Sequence, residues 1–472
     1  MHFSCIICII FIYSPLFILL EYFRQAVINI FAAICEPPYT YYYYICVRQK
    51  TLDYFMKKLA ILATSALIAF GACNNTQNNM TKDIQSALDS LSAEFERISP
   101  RVIKPAEGFL KYPYLIPAGF YHQMWDWDAY FMSTWFIYKG KPEYMKYWAL
   151  NFLEGMDERG YVAGCMTTKG PRLVRGTFFM KPFLSQGVLR YCQATGDWEW
   201  VRDNYDKLCK VLQYRDSVQM DEKTGLYFWE MAFQSGADNN PAMNYLDDDN
   251  RSFLATDCST MQMLEYKAQA DIASHLGYAD DAASFGERAD AIGQAINTFL
   301  WDAADKCYYN VDRATGELFK RVSYNSFWPL YAGLASQEDG AEMIRRYLIS
   351  ERHMLSPYGL RSLSASDQDY NNENIIVPFS NWQGPIWIPA LVVYAGGMDN
   401  YGFHEELKPI VLKTARMLLA DIAKFDTMHE NYHAETGEGL APAPTYVDEN
   451  GKFIGFISWN LCTEYLLANC LK

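Results

Sequence analysis

The sequence predicts a mostly helical fold, and three observations carry that reading. Helical patterning recurs from Thr81 to the C-terminus with no strong linker, low-complexity tract or break in composition. Clusters of Gly, Pro, Asp and Asn, as in 236–249 and 355–379, separate the patterned stretches and read as loops. The chain has 472 residues, half of them apolar, so it can bury a large core.

Taken in order, helices are expected at 82–98, 126–139, 142–156, 182–195, 197–217, 255–277, 279–303, 325–335, 338–350, 382–396, 403–425 and 456–470. In each, apolar residues recur at roughly helical spacing between turn residues. The stripe is plainest in 403–425, where Leu407, Ile410, Leu412, Ala415, Leu418, Leu419 and Ile422 share a face. Gly384-Pro385 reads as a turn at a helix start. A dozen helices with loops between them suggest six helical hairpins. Length alone admits two or three domains, but single barrels reach this size.

Aromatic residues make up 16% of the chain, with 12 Trp and 35 Tyr. They fit a large core and equally a surface on which sugar rings stack. The net charge is −14 and the body has no basic run, which argues against nucleic acid as a partner. Of 12 Cys, the seven beyond Cys73 (Cys165, Cys192, Cys209, Cys258, Cys307, Cys462 and Cys470) are scattered and odd in number. That is neither a zinc framework nor a disulfide scaffold, and they read mostly as small core residues.

The N-terminus has two layers. Met56-Lys57-Lys58 opens a secretion signal, with an apolar run from Leu59 to Phe70 and small residues Gly71-Ala72 before Cys73. Residues 56–73 resemble a bacterial lipoprotein signal with Cys73 as the acylated residue, although Phe70 stands where Leu is commoner. Residues 74–80 form a polar tether, and 81–472 are expected to be one domain. Residues 1–55 precede a complete signal and read as an upstream extension from a wrongly chosen start. The alternative is a membrane segment near Phe3 to Leu20. The expected location is a bacterial cell envelope, with the membrane touched only through the lipid anchor.

Two segments carry the chemistry. Ser235-Gly236-Ala237-Asp238-Asn239-Asn240-Pro241 and His429-Glu430-Asn431-Tyr432-His433-Ala434-Glu435-Thr436-Gly437 each place a carboxylate in a loop-like stretch. Two carboxylates facing each other across a pocket can protonate a leaving oxygen and activate a water, the minimum machinery of glycoside hydrolysis. Alone, Asp238 reads as a turn or helix-cap residue, and Glu430 as a solvated helix-end carboxylate.

The second segment also matches the H-E-x-x-H pattern of zinc proteases, whose two His must share a helix face. Gly437, Gly439, Pro442 and Pro444 make a poor continuation for such a helix, and no His follows His433. Glu435 and Glu438 are the remaining candidates for a third ligand. No metal and no cofactor is expected.

From Tyr112 onward the chain resembles the glycoside hydrolases of the clan holding trehalases, mannosylglycerate hydrolases and processing α-glucosidases. Within it, the chain is most similar to the mannosylglycerate hydrolase-like group, family 63 of the glycosidases. The resemblance rests on Tyr121-His122-Gln123-Met124-Trp125-Asp126-Trp127-Asp128-Ala129-Tyr130, the Ser235–Pro241 segment, Tyr358-Gly359-Leu360-Arg361-Ser362, Asn381-Trp382-Gln383-Gly384-Pro385-Ile386-Trp387 and the Glu430–Gly437 segment. Their order matches the family's. It implies an (α/α)6 barrel of helical hairpins and an inverting, exo-acting enzyme for α-glycosidic bonds.

The resemblance further implies that Asp238 is the general acid and Glu430 the general base. Trp125, Trp127, Trp382 and Trp387 would form a sugar-stacking wall, with Asp126 or Asp128 accepting sugar hydroxyls. Gln383 would bond sugar, and Tyr121 and Gly236 lie in the same motifs. Many relatives carry Gln-Pro-Pro where this chain has Met180-Lys181-Pro182-Phe183. Lys181 would recognise a carboxylate or phosphate if it faced the pocket; otherwise it is a solvated Lys over Phe183. Trehalose, mannosylglycerate and an α-glucoside all stay open as substrates. The rival functions are a zinc metallopeptidase and a non-catalytic sugar-binding lipoprotein.

For an inverting pair, the carboxyl groups of Asp238 and Glu430 are expected roughly 6.5–9.5 Å apart. Asp238 should hold a proton through burial or neighbouring carboxylates such as Asp128. The site of Glu430 should be polar enough to keep it ionised.

Overall fold

In the computed structural model, the described residues are 79–472 apart from 120, 173–178, 230–231, 244–251, 375–379 and 443–444. The expected upstream extension, the signal with Cys73 and the tether up to residue 78 lie outside them. The first helix begins at residue 79, so the last two residues of the expected tether are helical. No helix among the described residues is long and apolar enough to cross a membrane.

The helices follow the expected order. They are α1 (79–98), α2 (Asp126–Tyr138), α3 (Glu143–Glu154), α4 (Leu184–Thr195), α5 (Glu199–Gln219), α6 (Thr256–Leu276), α7 (Ala279–Phe299), α8 (Trp328–Tyr331), α9 (Gln337–Met343), α10 (Ile388–Asn400), α11 (His404–Phe425) and α12 (Cys462–Asn469).

Packing sorts them into two layers. Each even-numbered helix touches the next even one: α2 meets α4, α4 meets α6, α6 meets α8, α8 meets α10, and α10 meets α12. Helix α12 then packs on α2 and closes the ring. The odd-numbered helices lie outside. Their burial is striped, as in α5, where Trp200, Val201, Tyr205, Leu208, Leu212, Arg215 and Gln219 turn inward. Inner helices are buried nearly all round: every residue of α2 from Asp126 to Phe136 is buried. The result is an (α/α)6 barrel.

Four elements depart most from the sequence reading, one being the helix expected at 456–470, which begins only at Cys462 after a 3₁₀ turn at Ser458–Leu461. The helix expected at 382–396 begins only at Ile388. Residues 382–387 are non-helical because Gly384 sits at φ +158° against Asn371, where a Cβ would lie 2.2 Å from the Asn371 carbonyl oxygen. Pro389 then opens α10. The stretch 325–335 is a 3₁₀ turn, Tyr324–Phe327, followed by the single turn α8. The stretch 338–350 is α9 followed by a π turn, Ile344–Leu348.

Short antiparallel strands accompany the helices. Met124–Trp125 pairs with Cys165–Thr167, with Trp125 opposite Cys165, and so sets the entry into α2. Phe228–Trp229 pairs with Phe253–Leu254, which pairs with Asn310–Asp312. This sheet carries the chain into the Asp238 loop. The seven Cys are free thiols and, Cys209 apart, buried.

Candidate active site

One cavity opens between these loops. Tyr121, Trp125, Trp127, Asp128, Lys181, Phe233, Gly236, Asp238, Ser380, Trp387, Glu430 and Trp459 line it.

Asp238 follows a 3₁₀ turn, Ala232–Ser235. Gly236 turns the chain at φ +86°, and the Ala237 N–H is held by Ser235 Oγ at 3.0 Å. The Asp238 side chain is half-buried, and its Oδ2 accepts the Ser380 N–H at 3.2 Å. The next residue, Asn239, accepts the Trp382 N–H through Oδ1 at 2.6 Å.

Glu430 enters from the loop after α11, which is capped by Asp426 in the left-handed conformation (φ +57°). Its backbone N–H donates to Ala441 O at 2.6 Å, and Ile386 and Tyr432 exchange two backbone bonds. Further backbone bonds, Leu440 N to Asn431 O and His433 N to Glu438 O, fold 430–441 back on itself. Glu435 accepts from Arg361 at 2.7 Å and from the Tyr370 hydroxyl at 2.6 Å.

Residues 429–433 are therefore not helical, so His429 and His433 lack the shared helix face that the zinc reading needs. The His429 Nδ1 is taken up by Asp421 at 2.9 Å, and the His433 Nδ1 by the Glu435 N–H at 3.1 Å. Among the described residues no group of three or more His, Cys, Asp or Glu is placed to hold a metal. The zinc alternative is corrected on these grounds.

The electrostatics differ from expectation. Glu430 is only 5% exposed. Burial first, then the neighbouring Asp128 and Asp238, push its carboxyl from an ordinary value of 4.5 up to about 8. A hydrogen bond from the Tyr121 hydroxyl at 3.3 Å opposes this. Asp128, in the first turn of α2, is raised to about 7, chiefly by burial. The Ser458 hydroxyl, donating to Asp128 at 2.8 Å, works against that rise. The expected polar surroundings of Glu430 are thus corrected: its carboxyl is buried among aromatic walls and beside two acids.

Lys181 is not a solvated side chain. It is 2% exposed, with Nζ 3.3 Å from Asp126 Oδ1 and 4.7 Å from the centre of the Trp127 ring. Its backbone N–H donates to Asp126 Oδ2 at 2.7 Å. Its charge is thus balanced by a buried carboxylate while its side chain forms part of the cavity wall.

Of the expected substrate-site residues, Tyr121, Trp125, Trp127, Asp128, Lys181, Gly236 and Trp387 line the cavity with Asp238 and Glu430. Asp126, Trp382 and Gln383 stand behind it. Asp126 serves Lys181 and the Trp127 N–H. Trp382 stacks on Trp387 at 4.2 Å between ring centres. Gln383 binds Asn371 and the Asn239 carbonyl.

Phe233, Ser380 and Trp459 escaped the sequence reading. The first two adjoin recognised motifs, so widening each motif by two residues finds them. Trp459 carries no local signal. The 3₁₀ turn Ser458–Leu461 brings it to the first turn of α2, where its ring meets Trp127 edge-on at 5.6 Å.

Comparisons with known proteins agree with this architecture. A family model described as the mannosylglycerate hydrolase MGH1-like glycoside hydrolase domain matches residues 121–447. A probable trehalase of Eremothecium gossypii is 22% identical over 360 residues, covering 62% of this chain and 48% of that protein. The cytosolic neutral trehalase of Kluyveromyces lactis is 21% identical over 382 residues, covering 65% and 49%. The chain spans about half the length of the curated relatives it matches. The structure of the GH63 mannosylglycerate hydrolase from Thermus thermophilus in complex with glucose superposes with a TM-score of 0.61 at 17% identity, covering 81% of this chain and 99% of that one. Neutral trehalase Nth1 from Saccharomyces cerevisiae superposes with a TM-score of 0.57 at 16% identity, covering 76% and 73%. At these identities the superpositions speak for the fold.

Proposed function

Because the chain belongs to the mannosylglycerate hydrolase MGH1-like glycoside hydrolases, we propose that it is an inverting, exo-acting α-glycosidase. The observation that carries this is the meeting of Asp238 and Glu430, from two distant loops, in one aromatic-walled cavity. A sugar ring stacks on the tryptophan wall, with Asp128 accepting its hydroxyls. Asp238 gives its proton to the departing glycosidic oxygen. Glu430 takes a proton from the water that attacks the anomeric carbon from the other face. The reacting form has Asp238 protonated and Glu430 ionised. Burial favours a protonated Glu430, so the reacting form gains population as pH rises toward about 8.

The substrate class is an α-linked glucoside or mannoside, with a sugar or a glycerate as the leaving group. Trehalase and mannosylglycerate hydrolase among the matched proteins support this range. We further propose that 79–472 acts as one catalytic unit. It is held in the cell envelope by a lipid on Cys73, a placement supported by the signal pattern of 56–73.

A screen of α-linked disaccharides and glycosyl-glycerates, read by anomer-resolved NMR, tests the activity. Release of the β-anomer first is expected; release of the α-anomer overturns inversion, and no hydrolysis at all overturns the function. Asp238→Asn and Glu430→Gln should each lower turnover ~10²–10⁴-fold or more. Glycosyl fluorides should partly rescue the first variant and not the second. Near-wild-type turnover of either variant on a natural disaccharide removes the assigned role. Loss of radiolabelled fatty acid incorporation in Cys73→Ser checks the anchor.

A further inference from the structure

The segment 380–387 lies between the two carboxylate loops and bonds to both. On one side, Ser380 donates to Asp238 and Trp382 to Asn239, at 3.2 and 2.6 Å. On the other, Ile386 and Tyr432 exchange backbone bonds of 2.7 and 3.1 Å, close to Glu430.

Asn381 sits between these attachments with no exposed surface. Its Nδ2 donates to Asn371 Oδ1 at 2.8 Å and to Glu373 O at 2.9 Å. Its Oδ1 accepts the Gln383 N–H at 2.9 Å and, over a longer 3.4 Å, Asn239 Nδ2. Its carbonyl oxygen accepts Trp387 Nε1 at 2.8 Å and Asn431 Nδ2 at 3.4 Å.

The loop held by the Asn381 Nδ2 grips the Glu430 loop in turn. Asn372 Oδ1 accepts the Ala434 N–H at 2.7 Å, and the Tyr370 hydroxyl donates to Glu435 at 2.6 Å. A local turn explains the Gln383 contact alone. It does not explain a side chain whose other bonds reach the acid loop and the 371–373 loop, nor a carbonyl bonded to the base loop and to a cavity-wall tryptophan.

We propose that Asn381 is a positioning residue that sets the separation between Asp238 and Glu430. The proposal rests on the roles assigned above to those two carboxylates. Asn381 is not part of the cavity wall. It acts through the Ser380 contact with Asp238 and through the 371–373 loop. Inversion needs a gap that admits one water between base and sugar, and a misplacement of about 1 Å costs up to ~10²-fold in rate.

The test compares wild type, Asn381→Ala and Asn381→Asp, the last keeping shape and acceptor but losing the donor. Crystal structures of wild type and Asn381→Ala should show the two carboxyl groups displaced relative to each other by about 1 Å. The kcat of both variants should fall ~10²-fold while KM stays within a few-fold.

Removal of Asn381 in the Asp238→Asn background, assayed with α-glucosyl and α-mannosyl fluorides, should cost only a few-fold more, because residues acting as a unit are non-additive. An unchanged carboxyl separation, or the same fold-loss in both backgrounds, overturns the proposal. If Asn381→Ala does not fold, Asn371→Ala removes the acceptor of the same bond and is read in the same way. Wild type inert on every sugar would instead refute the proposed function, and the crystal comparison would still decide the positioning claim.

Discussion

The Tyr121 hydroxyl donates to Oε1 of Glu430 across 3.3 Å. It reaches there from a turn whose preceding residues Ala118 and Gly119 hold left-handed conformations, φ +75° and +67°. This is the contact that draws the Glu430 carboxyl down against the burial that raises it.

Tyr121→Phe should therefore raise the Glu430 value above about 8. In the pH dependence of kcat/KM, the limb with the apparent value near 8 should move to higher pH while the other limb stays. The loss in kcat/KM at neutral pH should be ~10-fold, the worth of one hydrogen bond to a charged group. A profile identical to wild type would mean the bond is not made in solution.

Glu430 and Asp128 also set a pH dependence of stability. Both have folded values raised above the ordinary ones, 4.5 to about 8 and 3.8 to about 7. The folded state is unpenalised below the ordinary values, where both groups are neutral in either state. It loses stability progressively as pH rises above those values, because the unfolded chain releases these protons first, and the loss is complete above about 7 and about 8. Glu430→Gln and Asp128→Asn remove the penalty. Urea unfolding should show each variant more stable than wild type by on the order of 1–3 kcal/mol near pH ~9. The gap should close near pH ~4; a pH-independent gap would contradict the burial argument.

The Lys181–Asp126 pair makes a different stability prediction. Both side chains are essentially unexposed, at 1% and 0%. Lys181→Met leaves Asp126 charged and buried, which costs about 3–5 kcal/mol. Adding Asp126→Asn should recover much of that loss in chemical denaturation, since the uncompensated charge is gone. Equal instability of the single and double variants would assign the loss to packing.

Gly236 tests how tightly the Asp238 loop is held. Its φ of +86° disfavours a side chain, and an added Cβ would lie 2.5 Å from Trp127 Cζ2 and 2.9 Å from Lys181 Cε. Gly236→Ala should displace the Asp238 loop and lower kcat by up to ~10²-fold. Its thermal midpoint should fall by a few degrees, as expected for ~1–3 kcal/mol of backbone strain.

Much of the fold was legible because helix periodicity is a near-neighbour property. The stripe from Leu407 to Ile422 is visible in sequence, and α11 follows it. The onset of α10 was not legible, since it depends on the contact between Gly384 and Asn371, which come together only in the folded chain. The burial of Glu430 was hidden for the same reason. Its loop composition reads as solvated, yet Tyr121 covers it, and the Trp459 indole bonds its carbonyl oxygen at 3.3 Å.

The sequence by itself determined most of the helical stretches, that Asp238 and Glu430 sit in loops, and the order of motifs that marks the family. The helices and loops follow from residues close together in the chain, and the motif order is read directly along it. Tertiary structure alone decided which side chains form the wall and what each is worth there. Closure of α12 onto α2 brings Ser458 to Asp128, 330 positions apart in sequence. The same closure seats Trp459 beside Trp127. Burial in that closed ring leaves Glu430 and Asp128 poorly solvated, and poor solvation raises the affinity of both carboxyl groups for a proton.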